Sequence, residues 1–365
     1  MNILDLKEKY ILNKNDNLLP YGFFIWKSLG NSFINKLSSY GFSECYFFDE
    51  DSIENENKIQ MLNYNMNNLL NHISYSKYDS LIEGAKTSSI DILQTYISLT
   101  KQVLGINLLV GKRVSFDSNE EYILGAYTND NHFIEVGSVI VDTIENKVRT
   151  RYSSKILEAL IEINYDDDGF IFSPLSSLYQ IGIIPLRMNE KNVIPYARKL
   201  KQNMEMRGYR VLLDESKIND MDKLSDYKNK GIPLIIEVGP RDIMNSSIEV
   251  IKRTEGNILS IKEEKLDSYL NNFFKRINSD LINKQIKHIL SDTINLTNIN
   301  DFDKEIEKGK IINIIWDGEE DTYREIERRA NKSAIFMPFN QELFVSEDIL
   351  SKRKGKYVLT ICKTK

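Results

Sequence analysis

Arg149 and Arg151 stand on alternate positions of the run Lys147–Tyr152, so they share one face of an expected strand. Two guanidiniums on one face suit a phosphate clamp, because each is planar, permanently charged and able to grip an anion with paired hydrogen bonds. The same arrangement suits an ordinary solvated sheet face, and that is the simpler reading. Arg113 lies upstream and Lys155 shortly downstream; a lysine can hold a phosphate as a point charge. Asp166-Asp-Asp168 has the carboxylates of a cation site, but it leads into Gly169, and a charged hairpin turn accounts for it without a metal. Asp317–Asp321 reads as solvated acidic surface, and His132 as a structural histidine in an expected strand. The chain has no phosphate-cradling glycine loop, no Ser/His/Asp set at supporting spacing and no aromatic-basic stripe.

These groups sit in a chain of 365 residues that is 41% hydrophobic, enough for two or three domains with separate cores. With 28% charged residues and a net charge of −5, it is expected to be soluble. The acidic balance does not favour non-specific polyanion binding, although a local basic face would still serve. Cys45 and Cys362 are too few and too far apart for a disulfide scaffold or a zinc cluster, which implies reduced thiols in the cytoplasm. Charges run through Met1–Tyr10, so a signal peptide is not expected, and no segment is apolar enough to span a bilayer.

The elements that must position the cations follow from periodicity. Tyr21–Tyr40 is an expected helix with Phe24, Leu29, Phe33 and Leu37 on one face. A short strand at Glu44–Phe48, a helix near Leu62–Ile73 and a helix at Ser89–Leu104 follow. Strands are expected at Asn107–Val110, Tyr122–Leu124, His132–Asp142 and Lys147–Tyr152, then a helix at Ser153–Ile163. From Tyr179 the pattern alternates. Strands at Ile181–Leu186, Tyr209–Leu213, Leu234–Val238 and Ser247–Lys252 are separated by helices at Val193–Arg207 and Leu224–Lys230, giving a small mixed sheet covered by helices. In the first helix Ile194, Ala197, Leu200 and Met204 form the apolar side. A mostly helical stretch, Lys262–Leu290, leads to a strand at Lys310–Trp316, a helix at Asp321–Ala330 and a strand at Lys356–Cys362.

The order Ile181-Gly-Ile-Ile-Pro185, Gly208-Tyr-Arg-Val211, Gly231-Ile-Pro233, Glu237-Val-Gly-Pro-Arg-Asp242 and Lys252-Arg253 resembles the anticodon-binding domain of a class II aminoacyl-tRNA synthetase, nearest to prolyl-tRNA synthetase of the archaeal/eukaryotic type. The resemblance extends upstream, where Leu19–Trp26 through Tyr46-Phe-Phe48 is similar to the motif 1 helix and strand, and Ser153-Ser-Lys155 through Leu160 to motif 3. Downstream, Trp316-Asp-Gly318 and Met337-Pro338 resemble the family's C-terminal domain. The implied fold is α/β (α+β). A truncated class II synthetase-like antiparallel-sheet core spans 1–175, an anticodon-binding α/β domain 176–258, and a small α+β C-terminal domain 259–365.

The resemblance also assigns roles. Arg241 and Asp242 match a pair that helps to read anticodon bases, and they become tRNA-binding candidates with Lys228 and Arg253. Lys228 stands where the family has a Glu, and Ile235 where it has an Arg. In the core, class II enzymes hold ATP phosphates with a motif 2 Arg, a motif 3 Arg and magnesium. Here motif 2 reads as deleted, no Arg precedes Arg113, and Lys155 stands at the motif 3 position. Lys155, Arg113, Arg149 and Arg151 are the remaining nucleotide-binding candidates. The family's zinc cysteines are replaced by Asp317 and by Glu320 or Asp321, so no metal is expected. The implied protein is a non-catalytic relative that binds tRNA or partners a true synthetase or another protein, as a homodimer through the Tyr21–Tyr40 region and away from membranes. The alternative is a trimmed enzyme that still activates or transfers an aminoacyl group, with ATP and magnesium as its cofactors.

Overall fold

The computed structural model describes residues 3–14, 17–40, 43–44, 72–75, 80–85, 89–116, 119–152 and 155–365; for strands 43–44, 72–75 and 80–85 and for residues 151–152 it describes the backbone only. In chain order, helix α1 (Ile3–Leu6) runs into a π turn, Lys7–Ile11, and is followed by α2 (Pro20–Ser38) and strands β1 (Ser43–Glu44), β2 (His72–Tyr75) and β3 (Ser80–Ala85). Next come α3 (Ser89–Leu99), ending in a π segment, Thr100–Leu104, then β4 (Leu109–Lys112), β5 (Asn119–Tyr127), β6 (Phe133–Asp142), β7 (Lys147–Tyr152) and α4 (Lys155–Ile163). A hairpin of β8 (Tyr165–Asp166) and β9 (Gly169–Phe170) leads to β10 (Ile181–Pro185), α5 (Val193–Met206), β11 (Val211–Leu213), α6 (Asp220–Asn229) and β12 (Leu234–Val238). Then follow α7 (Pro240–Asn245), β13 (Ser247–Lys252), β14 (Ile258–Lys262) and α8 (Leu266–Asp292). The chain closes with β15 (Thr293–Asn295), α9 (Phe302–Glu307), β16 (Ile311–Trp316), α10 (Glu320–Ala330), β17 (Ala334–Pro338) and β18 (Tyr357–Cys362). No described helix is long and apolar enough to cross a membrane.

The chain divides into two compact units, one of residues 1–30, 100–106 and 160–284, the other of 31–99, 107–159 and 285–365. The first is built on a five-stranded sheet of order β11-β10-β12-β13-β14. β10 runs parallel to β11 and β12, whereas β13 and β14 are antiparallel additions. Strand alternation sorts its side chains. Ile181, Ile183, Leu234, Ile236 and Val238 pack on one face with α5 and with Leu266, Leu270 and Phe273 of α8. Ile184 and Ile235 pack on the other with Tyr227 of α6. Gly182 makes this second face possible. A Cβ there would come within 2.3 Å of the Tyr227 ring, whose hydroxyl donates to the Ile183 carbonyl at 3.2 Å. The buried stripe of α5 begins at Val193 rather than Ile194.

The second unit is built on an eleven-stranded sheet of order β1-β2-β3-β7-β6-β5-β4-β17-β18-β16-β15. β1 lies parallel to β2, and the strands from β2 through β7, β6, β5 and β4 are mutually antiparallel. β4 continues into β17, with Lys112 opposite Met337. One expectation is corrected. Instead of a helix ending at Ile73, residues 72–75 form a strand that pairs with β3; residues 62–71 lie outside the described set, as do 45–48 of the expected Glu44–Phe48 strand. An antiparallel pair of strands, β2 and β3, is thus present between Asn71 and Lys86, and neither strand contains an arginine.

The buried stripe of α2 is Tyr21, Ile25, Leu29, Phe33 and Leu37, repeating every fourth residue. Phe24 lies off that stripe, beneath the Arg210 guanidinium at 4.9 Å from its ring centre. α2 exposes Phe23, Lys27, Asn31 and Asn35.

Candidate functional site

The parallel strands β10 and β12 give the first unit two distinct ends. Leu186 N–H donates to the Val238 carbonyl at 2.8 Å, so the chain leaves both strands at one level. Arg187 follows β10 there, and Arg241 follows β12 in the first turn of α7. Carboxyl ends of parallel strands are where ligands meet open α/β sheets. Arg241 is exposed. Asp242 accepts the Gly239 N–H at 2.9 Å, so one carboxylate oxygen closes the start of α7. Half-buried Glu237 pairs across strands with Glu249. Burial first, then the charges of Glu249, Asp220 and Asp242, push its carboxyl above the usual range. This end therefore combines an exposed guanidinium with carboxylates, a donor–acceptor set that suits the edges of splayed bases.

Lys228 and Arg253 do not join it. α6 and β13 run against the parallel strands, which carries both residues to the amino end, about 15 Å away along a five-residue strand. There they clasp the acidic hairpin. Lys228 Nζ lies 2.8 Å from Asp168 Oδ2; this hydrogen bond and the ammonium charge hold the Asp168 carboxyl below its ordinary value. Arg253, only 5% exposed, grips both Asp166 oxygens and also donates to the Gly169 carbonyl at 2.9 Å. Gly169 has φ +121°, and a Cβ there would lie 2.7 Å from the Asn229 Cα. Asp166 and Asp168 are thus engaged by cations, and their work is to dock the hairpin. Arg253 is committed to that docking and is not presented to solvent. Ile235 is fully buried.

Arg210, which carried no role in the sequence reading, ties residues 174–178 to the same sheet. Its guanidinium donates to the carbonyls of Pro174 at 2.7 Å, Ser177 at 2.8 Å and Leu178 at 3.1 Å. Burial lowers its pKa from the ordinary arginine value.

In the second unit Lys155 and Arg113 border different cavities, although Glu135 lines the first and bonds Arg113. Lys155 opens α4 and is exposed on the wall of a cavity of about 600 Å³, with Glu135, Ser138, Glu158 and Thr364. Arg113 borders a different cavity of about 460 Å³ with Phe116, Tyr323 and Arg324. Its guanidinium is engaged by Glu121 at 2.8 Å and Glu135 at 3.0 Å, which neutralises the charge an anion would need. Arg149 pairs with Glu145 at 3.7 Å. Arg151 pairs through its backbone with Leu81 of β3. His132 precedes β6 rather than lying within a strand. Its backbone closes a turn with Thr128, and its Nδ1 lies 3.4 Å from Asp130.

Where the family's zinc ligands were sought, Asp317 is the centre of a hydrogen-bond network. It is 1% exposed and accepts from Thr322 Oγ1 at 2.6 Å, Ser351 Oγ at 2.8 Å and Glu319 N–H at 3.0 Å. Arg353 Nε stands 2.6 Å away. The Asp317 N–H in turn donates to Asp348 at 3.0 Å. Cys362 is buried in a separate cluster with Phe133 and Phe336, and burial pushes its thiol pKa up.

A family model described as an anticodon binding domain matches residues 180–273, the segment that builds the five-stranded sheet. Proline--tRNA ligase of Sulfurisphaera tokodaii is 24% identical over 292 residues, covering 72% of this chain and 60% of that protein. Proline--tRNA ligase of Pyrococcus abyssi is 30% identical over 193 residues, 52% of this chain and 40% of its own length. Proline--tRNA ligase 2 of Bacillus cereus is 22% identical over 301 residues, 76% of this chain and 63% of its length. Together with the five-stranded sheet, these likenesses support a class II aminoacyl-tRNA synthetase family for the chain. Within that family it is prolyl-tRNA synthetase-like, and its matches span about three-fifths or less of the length of these relatives.

Proposed function

We propose that the chain is a non-catalytic, tRNA-binding member of the family, acting in the cytoplasm as a regulatory or accessory subunit and dimerising through α2. The observation that carries this reading is a contrast. The anticodon-binding fold keeps Arg241 and Asp242 at its open end, while the first 112 residues contain no arginine and Lys155 and Arg113 border different cavities. Adenylate formation needs preorganised positive charge at the phosphates, and losing one such group costs about 3 kcal/mol of barrier lowering. A core with no arginine ahead of Arg113 lacks the bidentate guanidinium best suited to supply it.

The test has two arms. ATP–pyrophosphate exchange is expected to stay at background with proline and with every other amino acid, and exchange above background overturns the non-catalytic reading. Unfractionated bacterial tRNA is expected to be retained at low salt, and Arg241→Ala to weaken retention about five- to hundredfold, the range for one base-edge contact. Retention unchanged in that variant would remove Arg241 from the interface.

The 600 Å³ cavity beside Lys155 favours a second reading, since its size falls within the range of small-molecule sites. A trimmed enzyme that binds ATP with magnesium there would show saturable calorimetric binding that disappears in Lys155→Ala. No ATP binding would dispose of it.

A further inference from the structure

Arg187 adopts φ +54°, the left-handed region that glycine or asparagine enters more readily. Its carbonyl accepts the Glu190 N–H at 2.9 Å, a bond that any residue would make. Its side chain is exposed and, among the described residues, has no ion pair or side-chain hydrogen bond. The fold therefore carries an arginine at a backbone position unfavourable to it and, among the described residues, takes no ion pair or side-chain hydrogen bond from it. Such a position points outward, to something the side chain meets in a complex.

The neighbourhood defines what that is. Pro185 and Val238 are register partners on adjacent strands, so the backbones leading to Arg187 and Arg241 start about 5 Å apart. Arg241 has Asp242 beside it and the Glu237–Glu249 pair below it. Carboxylates there repel a phosphate and accept hydrogen bonds from a base edge. Neither Arg187 nor Arg241 has a carboxylate bonded to it among the described residues, but Arg187 follows β10 with no acidic residue next to it in sequence, and its fork matches a phosphate. We propose that Arg187 is a positioning residue of this interface, holding a backbone phosphate of the RNA strand whose base lies against Arg241 and Asp242. This rests on the tRNA-binding reading above.

Salt dependence separates the two contacts, because each phosphate neutralised contributes roughly 0.7–0.9 to the slope of log affinity against log salt. Filter retention of unfractionated bacterial tRNA across a salt series is the measurement. Arg187→Ala is expected to weaken retention about tenfold near 0.1 M salt and to reduce the slope by about one; Arg187→Lys keeps most of the slope. Arg241→Ala weakens retention with the slope little changed. Arg187→Gly removes the side chain but suits the backbone, so its melting temperature should match or exceed that of the parent while retention falls. Wild-type affinity and slope in the Arg187 variants, with Arg241→Ala still impaired, overturn the assignment and leave the tRNA reading intact. No retention of the parent protein at low salt overturns both.

Discussion

Arg253→Ala is expected to destabilise the unit containing the five-stranded sheet by about 3 kcal/mol, the lower end for breaking a buried ion pair. The side chain is almost fully buried and makes three hydrogen bonds, to both Asp166 oxygens and the Gly169 carbonyl. Its removal takes the cation from the Asp166 carboxylate, which keeps only the Asp168 N–H among its described donors at 2.9 Å, and takes a donor from the Gly169 carbonyl. Asp166 is 37% exposed, so water recovers part of the loss, which keeps the figure at the lower end. Arg253→Lys retains charge but not the two-pronged grip, and should fall between. Lys228→Ala removes an exposed pair on the same hairpin and should cost about 1 kcal/mol or less. Denaturant unfolding, with hydrogen exchange on the hairpin amides, measures all three. A change under about 0.5 kcal/mol in Arg253→Ala, the ordinary range for surface substitutions, would show that the clamp does not hold the hairpin.

Asp317→Asn should cost about 3 kcal/mol at neutral pH, through the loss of charge-assisted bonds in a buried network. Its signature is the pH profile. Burial alone would raise the Asp317 carboxyl, but the bonds from Thr322, Glu319 N–H and Ser351 and the charge of Arg353 outweigh it and hold the carboxyl below its ordinary value. A carboxylate lowered on folding stabilises the native state above its unfolded pKa, about 4, and loses that contribution as pH falls through the lowered folded value. The gap between parent and variant should therefore be widest near neutrality and close below about pH 4. Melting temperatures across the acid range provide the check. A gap that stays constant down to acid pH would mean that Asp317 acts by shape alone.

These two residues, Arg253 and Asp317, show how far the sequence could be read. Asp317 was visible as a missing zinc ligand, but Ser351 and Arg353 come from a distant loop, and no spacing joins them to it. Arg253 was visible at the end of a strand in a tRNA-binding domain, while Asp166 lies 87 positions away. Strand order identified the domain without saying which end of the sheet each cation reaches. The α/β alternation from Ile181 was legible because Gly182, Gly231 and the apolar runs meet local demands of the backbone and of Tyr227. Strand β14 was missed because its burial is too slight to leave an alternating pattern, with Ile258 and Leu259 both exposed. The β2–β3 pair was missed because two short polar strands carry little periodic signal beside a leucine-rich run. Arg187 carries no sequence signal, since a left-handed backbone is announced by glycine or asparagine and not by arginine.

The pairing of β4 with β17 has a consequence for the order of assembly. Lys112 is made early and Met337 late, so during synthesis the β4 edge has no neighbour until most of the chain has emerged. All five strands of the other sheet lie between Ile181 and Lys262, and their contacts close over shorter loops. The anticodon-binding sheet is therefore the natural first foldon, and the larger sheet, with its long-range closure, the slower one. Truncation before β17 would leave β4 as an open edge able to recruit another chain, turning a late folding step into a route to aggregation.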